Sequence, residues 1–278
     1  MGALRKNPRL LVDERLSTGF STAERDGGTV RTLAVLSQKG GTGKTTVAVH
    51  LAVAAWAEGQ RRVLMADLDP QRSSAEWRRA RQGAGPVLIE SKPGALFVAQ
   101  QAADRAGVDL MVLDTRPAGD TETAEAIRAA DLCLVVLRPS FFDLKATQRM
   151  VEMTEAMNKP ALFMLNQAPP RRGGREPPQV LETIEALRQR GLPLAPIGLR
   201  SRAAYQSSVA RGLTAGEAFP GTPAARELAL LWSHMEQALW PTKAAPHRPM
   251  KDRFRYVPID ATAAARAAGA ETMGAAAE

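Results

Sequence analysis

Residues 38–46 read Gln-Lys-Gly-Gly-Thr-Gly-Lys-Thr-Thr and follow directly on the apolar run Leu33-Ala34-Val35-Leu36. Few local sequences restrict a fold more. Three glycines in four positions, ringed by two lysines, make a poor structural turn, and the Lys44-Thr45 ending opens a stretch predicted to be helical over 47–58. A strand feeding such a loop and then a helix aims backbone N–H groups and the positive end of the helix dipole at an anion. In that arrangement Lys44 reaches the β- and γ-phosphates of a nucleotide, and the Thr45 hydroxyl holds Mg²⁺. Two details depart from the usual G-x-x-x-x-G-K-[ST] spacing. Gln38 stands where the pattern has glycine, and Lys39 adds a second lysine ahead of the glycine pair.

With 278 residues, 45% hydrophobic and 24% charged, the chain has the composition of a soluble α/β domain with tails. No apolar run approaches the roughly 20 residues of a membrane helix, and the N-terminus lacks the apolar centre of a secretory signal. A cytoplasmic chain without stable membrane insertion is therefore expected. Cys133 is the single cysteine, which excludes an intramolecular disulfide and a Cys-x-x-Cys redox pair. Its apolar surroundings predict a buried strand residue rather than a reactive thiol. The net charge of +8 suits an anionic partner, nucleic acid or a lipid surface, although an Arg- and Ala-rich composition accounts for part of it.

Short apolar runs at 33–36, 62–67, 87–90, 110–114, 132–137 and 161–165 predict strands, with 194–197 as a possible last one. Helical stretches are predicted at 74–81, 121–130, 144–157, 179–190 and 224–239. Continuous apolar strands alternating with helices imply a doubly wound, mostly parallel sheet with helices on both faces. Ligands in such folds sit at the carboxyl ends of the strands. The proline- and arginine-rich stretch 169–178 is a predicted loop. Residues 1–30 read as an N-terminal extension, 31–240 as the domain, and 241–278 as a basic, then Ala-rich tail.

Two further motifs fall at predicted strand ends. Asp67-Leu68-Asp69-Pro70-Gln71 places two carboxylates at i and i+2, on one side of an extended segment. Beside a phosphate loop, one can serve hydrated Mg²⁺ and the other position water, whereas alone the pair would be an Asp-Pro turn. Leu110-Met111-Val112-Leu113-Asp114 is an apolar strand ending in a carboxylate, which suits Mg²⁺.

The K-G-G-x-G-K-T-T loop resembles the deviant Walker A loop of the ParA/MinD family of dimerising ATPases. Asp67-x-Asp69-Pro-Gln71, with Ser73, Ser74 and Trp77 following, is similar to the second motif of small plasmid ParA proteins. The resemblance covers about residues 31–240 and implies the P-loop NTPase fold, with ATP and Mg²⁺ as cofactors. It implies that Lys39, Gly40, Gly41, Thr42, Gly43, Lys44, Thr45 and Thr46 contact nucleotide. Thr45, Asp67 and Asp114 then serve the metal, and Asp69 orients the attacking water. Lys39 would reach the other subunit's ATP, coupling occupancy to a homodimer, and Lys39, Lys44 and Asp69 form the catalytic set. Asn166 is a base contact or a strand-end cap, and Arg116, where the family often has Pro or Ala, touches either phosphate or a partner. Through the same resemblance Arg200, Arg202, Arg211 and Arg226 hold non-specific double-stranded DNA, although each also suits a solvated helix face. Arg171, Arg172 and Arg175 could extend that footprint. The implied activity is slow ATP hydrolysis, stimulated by a ParB-like or other adaptor, in a nucleoid-associated protein that partitions a plasmid or chromosome centromere complex. A protein cluster or bacterial microcompartment is the second cargo class. A MinD-like membrane cycle is a weaker third, for which 250–257 is the only anchor candidate. One cysteine argues against a nitrogenase-type reductase and two tyrosines against a tyrosine-kinase relative.

Overall fold

The computed structural model describes residues 29–92, 94–117 and 120–241; the extension and the tail lie outside these residues apart from Thr29, Val30 and Pro241. The anchor candidate at 250–257 also falls outside them. Strands and helices alternate from β1 (Arg31–Leu36) through α1 (Lys44–Ala57), β2 (Val63–Asp67), α2 (Ser73–Ala80), β3 (Val87–Glu90), α3 (Leu96–Arg105) and β4 (Leu110–Asp114). They continue as α4 (Asp120–Ala129), β5 (Leu132–Leu137), α5 (Phe141–Ala156), β6 (Ala161–Leu165) and α6 (Pro178–Gln189). Three helices close the domain: α7 (Ala203–Val209), α8 (Ala215–Ala218) and α9 (Pro223–Leu239).

The six strands lie in the order β3-β2-β4-β1-β5-β6, and every pairing is parallel. Period-two side-chain alternation divides each strand between two apolar layers. Leu33 and Val35 of β1 face α1, α2 and α7–α9, whereas Ala34 and Leu36 face α3–α6. β4 and β5 repeat the division, with Leu110 and Val112 against Met111 and Leu113, and Leu134 and Val136 against Val135 and Leu137. Burial on both faces explains why these strands read as unbroken apolar runs; each fully buried leucine contributes about 1.5–3 kcal/mol. Cys133 is buried in β5, and burial pushes its thiol up to about 12, so it stays protonated and unreactive at neutral pH.

Three differences from the expected elements have local causes. α1 begins at Lys44 rather than at 47, because the loop ends in Gly43 at φ 86° and the lysine–threonine ending already forms the first turn. The possible strand at 194–197 reduces to one parallel bridge between Phe163 and Leu194. Pro193 and Pro196 supply no N–H there, and pairing with β6 resumes only where the Leu199 N–H meets the Leu165 carbonyl at 3.0 Å. In the predicted loop 169–178, Arg172 and Arg175 exchange backbone hydrogen bonds of 3.1 and 3.0 Å around Gly173 and Gly174, both at positive φ. That pair of glycines makes the two-residue turn possible.

His50 on α1 is completely buried. Its Nδ1 lies 2.7 Å from the Thr46 carbonyl and its Nε2 accepts the Ala215 N–H at 3.0 Å, which fixes the neutral Nδ1–H tautomer. Burial lowers its pKa from 6.5 to about 4. Above pH 6.5 neither the folded nor the unfolded chain protonates His50, so it has no pH effect. Between 6.5 and 4 only the unfolded chain takes up the proton, and this removes up to about 3 kcal/mol of stability. The His50 imidazole is expected to keep the neutral-tautomer ¹⁵N shifts down to about pH 4.5. A titration centred near 6.5 would contradict the buried, doubly bonded ring.

Candidate functional site

The carboxyl ends of β1, β2, β4 and β6 bring the predicted phosphate loop, both acidic motifs and Asn166 to one edge of the sheet. β1 lies between β4 and β5, where the chain changes direction across the sheet, and the loop leaves at that switch point. Ser37, which the sequence reading passed over, is the hub of the loop. Its hydroxyl donates to the Lys39 carbonyl at 2.7 Å and accepts from Thr42 Oγ1 at 2.9 Å and from Lys44 Nζ at 3.0 Å. The Lys44 ammonium is thus folded inward over its own loop. Burial lowers its pKa, partly offset by the charges of Asp114 and Asp69.

Gly41 and Gly43 hold φ of 73° and 86°, a conformation that side chains with a Cβ rarely adopt. A Cβ on Gly43 would also overlap the Asn166 amide. Asn166 donates from Nδ2 to the Thr42 carbonyl at 2.7 Å, and Gln167 donates from Nε2 to the Gly41 carbonyl at 3.0 Å. The two neighbouring amides therefore hold the loop from β6. Asn166 was singled out as a base contact or a cap; here its amide braces the loop backbone. Gln167 was missed, and only its place after Asn166 signals it.

Asp114 closes β4 directly opposite Asp67 of β2. It is fully buried, and among the described residues neither carboxylate oxygen meets a donor in full hydrogen-bond geometry, although Thr45 and Ser74 lie beside it. Burial, reinforced by the charge of Asp67, pushes its pKa up to about 7, while Thr45, Ser74 and Lys44 act in the opposite direction. An orphaned buried carboxylate is costly, and a divalent cation beside Thr45 would satisfy it, so the residues present fit Mg²⁺. Asp67 is differently placed. Its Oδ1 accepts the Asp69 N–H and its Oδ2 the Ala75 N–H, each at 3.0 Å, so it fastens the loop to the start of α2. Burial raises its pKa, and the hydrogen bonds from the Ala75 and Asp69 N–H groups lower it. Asp69 is half-buried and accepts the Gln71 N–H at 2.9 Å, which leaves its other oxygen available.

Lys39 points away from its own loop. Its Nζ lies 3.7 Å from Asp143 and 5.1 Å from the centre of the Phe142 ring, at the start of α5. Asp143 also binds Arg138 through both carboxylate oxygens at 2.9 and 3.1 Å. Phe141 and Phe142 beside it are 73% and 68% exposed, so the rim around Lys39 is partly aromatic. Arg116 pairs with Glu122 at 3.5 Å.

The four arginines assigned to a nucleic-acid face fall into two groups. Arg200 binds Glu176 through both guanidinium branches and the Pro169 carbonyl, and Arg202 binds Glu227 at 2.6 Å. Arg211 and Arg226 are exposed, and among the described residues their guanidiniums touch the Ser207 carbonyl and Phe219 ring, and the Gly221 carbonyl. Glu176 and Glu227, distant in sequence, are the carboxylates that hold Arg200 and Arg202.

A sequence profile described as the CobQ/CobB/MinD/ParA nucleotide binding domain matches residues 33–215. The carboxysome distribution protein A of Gloeobacter kilaueensis is 33% identical over 190 residues, covering 66% of this chain and 83% of that protein. The chromosome-partitioning ATPase Soj of Thermus thermophilus is 28% identical over 155 residues, covering 45% of this chain and 62% of that one. Among solved structures, an ATP complex of Cyanothece McdA superposes with a TM-score of 0.62 at 17% identity, covering 79% of this chain and all of that one. At that identity the likeness is one of fold.

Proposed function

The chain belongs to the CobQ/CobB/MinD/ParA family of nucleotide-binding domains, and from that premise we propose that it is an ATP-switched homodimer that positions cargo over the nucleoid. The observation that carries this reading is Lys39. A loop lysine that leaves its own phosphate loop to sit beside Asp143 at an exposed aromatic rim suits a role toward a second subunit.

In the ATP-bound state Lys44 leaves Ser37 for the terminal phosphates, and the loop amides spread the charge of the transferring phosphoryl group. Asp114 and Thr45 would hold Mg²⁺, which supplies charge neutralisation at the phosphate oxygens. Asp67 keeps the neighbouring loop in register, and the free oxygen of Asp69 orders the attacking water. Hydrolysis then resets the dimer. Such a switch requires each nucleotide state to differ in its affinity for DNA.

Arg211 and Arg226 supply the DNA contact by neutralising phosphates without reading bases. Arg200 and Arg202 act behind them by fixing the loop before α7 to Glu176 and Glu227. Charge reversal in Arg226→Glu is expected to weaken ATP-dependent retention of a random duplex and to reduce the log–log salt slope by about 1. An unaltered gel shift at low salt would remove this surface from the reading.

The chain spans more of its carboxysome-distribution relative than of Soj, which supports a protein assembly as cargo, reached through an adaptor. A centromere complex is the second reading, favoured by the partition relatives. No helix among the described residues is long and apolar enough to cross a membrane.

A further inference from the structure

The segment from Gly212 to Glu217 touches the two helices, α1 and α2, that start beside the candidate nucleotide site, and it carries the basic face on its flanks. Its first attachment comes from α2. Arg81 at the end of that helix has a side chain only 2% exposed, stacked at 5.6 and 5.3 Å from the rings of Trp56 and Trp77. Its guanidinium donates to the Gly212 carbonyl at 3.1 Å and to both oxygens of Glu217 at 3.0 and 2.7 Å. Trp77 Nε1 donates to the Leu213 carbonyl at 3.4 Å. The backbones themselves meet here. A Cβ on Gly212 would lie 2.5 Å from the Ala80 carbonyl carbon and the Arg81 nitrogen, and φ at this residue is +70°.

The second attachment comes from α1, where the His50 ring accepts the Ala215 N–H and bonds back to the Thr46 carbonyl, one residue beyond Thr45. Glu217 closes the segment by accepting the Thr214 N–H at 2.8 Å and the Thr214 hydroxyl at 3.0 Å. The other end of α2 is held by Asp67 through the Ala75 N–H, and Asp67 also holds Asp69. A displacement of the Asp67–Asp69 loop therefore cannot occur without loading α2, and α2 ends against residues 212–217. A buried arginine bonded to Gly85, Gly212 and Glu217 between two tryptophans transmits such a load because close-packed contacts shift between discrete arrangements rather than deform.

We propose that residues 212–217 are the joint through which nucleotide occupancy reaches the Arg211 and Arg226 face, with Arg81, Trp77 and Glu217 as positioning residues. The inference rests on the DNA-binding reading for its output, while its mechanical part stands apart from it. Coupling of this kind typically changes affinity by about 5- to 150-fold.

The test uses the full chain, hydrogen–deuterium exchange with and without ATP and Mg²⁺, and the variants Glu217→Gln and Trp77→Phe. In the unmodified chain, ATP and Mg²⁺ are expected to change the exchange of amides 213–219, which lie outside the nucleotide site. In each variant that folds, this change shrinks and ATP-dependent DNA retention falls by about tenfold, while ATP affinity by calorimetry stays within about threefold. Trp77→Phe keeps an aromatic ring at this position while removing the indole N–H and the second ring, so it decides the matter if Glu217→Gln is unstable. Exchange at 213–219 that ignores ATP, or variants that keep full ATP-dependent retention, would overturn the joint. An ATP-dependent exchange change in a chain that never retains DNA supports the joint and overturns the DNA reading instead.

Discussion

Lys44→Ala is expected to lower ATP affinity by at least about a hundredfold, because it removes two charge-assisted contacts to the terminal phosphates of roughly 1.5–3 kcal/mol each. The structure explains why the loss should exceed that of a surface lysine. Lys44 Nζ is buried and, among the described residues, hydrogen-bonds to Ser37, so the cation is already stripped of most water before an anion arrives. Alanine also leaves the buried Asp114 without its nearest positive charge. That carboxyl then stays protonated to higher pH, which spares the fold but weakens the metal site as well. The fold itself should survive, since the glycines and the Asn166 and Gln167 amides hold the loop backbone without the lysine. Isothermal calorimetry with ATP and Mg²⁺ measures the effect, and an unchanged dissociation constant would sink the phosphate assignment.

The parallel sheet was legible in the sequence because two-sided burial leaves unbroken apolar runs, and β3, β4, β5 and β6 lie where those runs predict. Helix α3 was not foreseen, because only Leu96, Ala99, Ala102 and Ala103 of its ten residues are buried, which leaves a thin apolar stripe in a polar stretch. The phosphate loop and its carboxylates were legible for a different reason. Their chemistry demands particular residues at fixed spacing, and a strand end supplies the rest. Ser37, Gln167 and Asp143 carry no such signature; each acts through contacts that only the fold creates. The arginines show the same limit from the other side. Nothing near Arg200 in sequence announces Glu176, yet that contact separates a guanidinium fixed inside the domain from one left on its surface.

Asp69→Ala should separate binding from turnover more sharply than any other single change. The carboxylate makes one hydrogen bond, to the Gln71 N–H, and no hydrogen bond to the phosphate loop, so its removal leaves the Lys44 cradle intact. Asp67 still fastens the loop through the residue 69 and Ala75 N–H groups, which depend on backbone rather than on the lost side chain. ATP affinity is therefore expected to stay within about threefold of the unmodified chain, while phosphate release falls by about 10²- to 10⁴-fold, the usual range for a positioned acid or base. If Lys39 acts across a dimer, the blocked enzyme should accumulate as an ATP-bound dimer in sedimentation experiments, since the reset is gone while the trigger remains. Normal phosphate release would strip Asp69 of its role. The half-exposed carboxylate would then be a turn residue, and the group that orders the water would have to be sought elsewhere at this edge of the sheet.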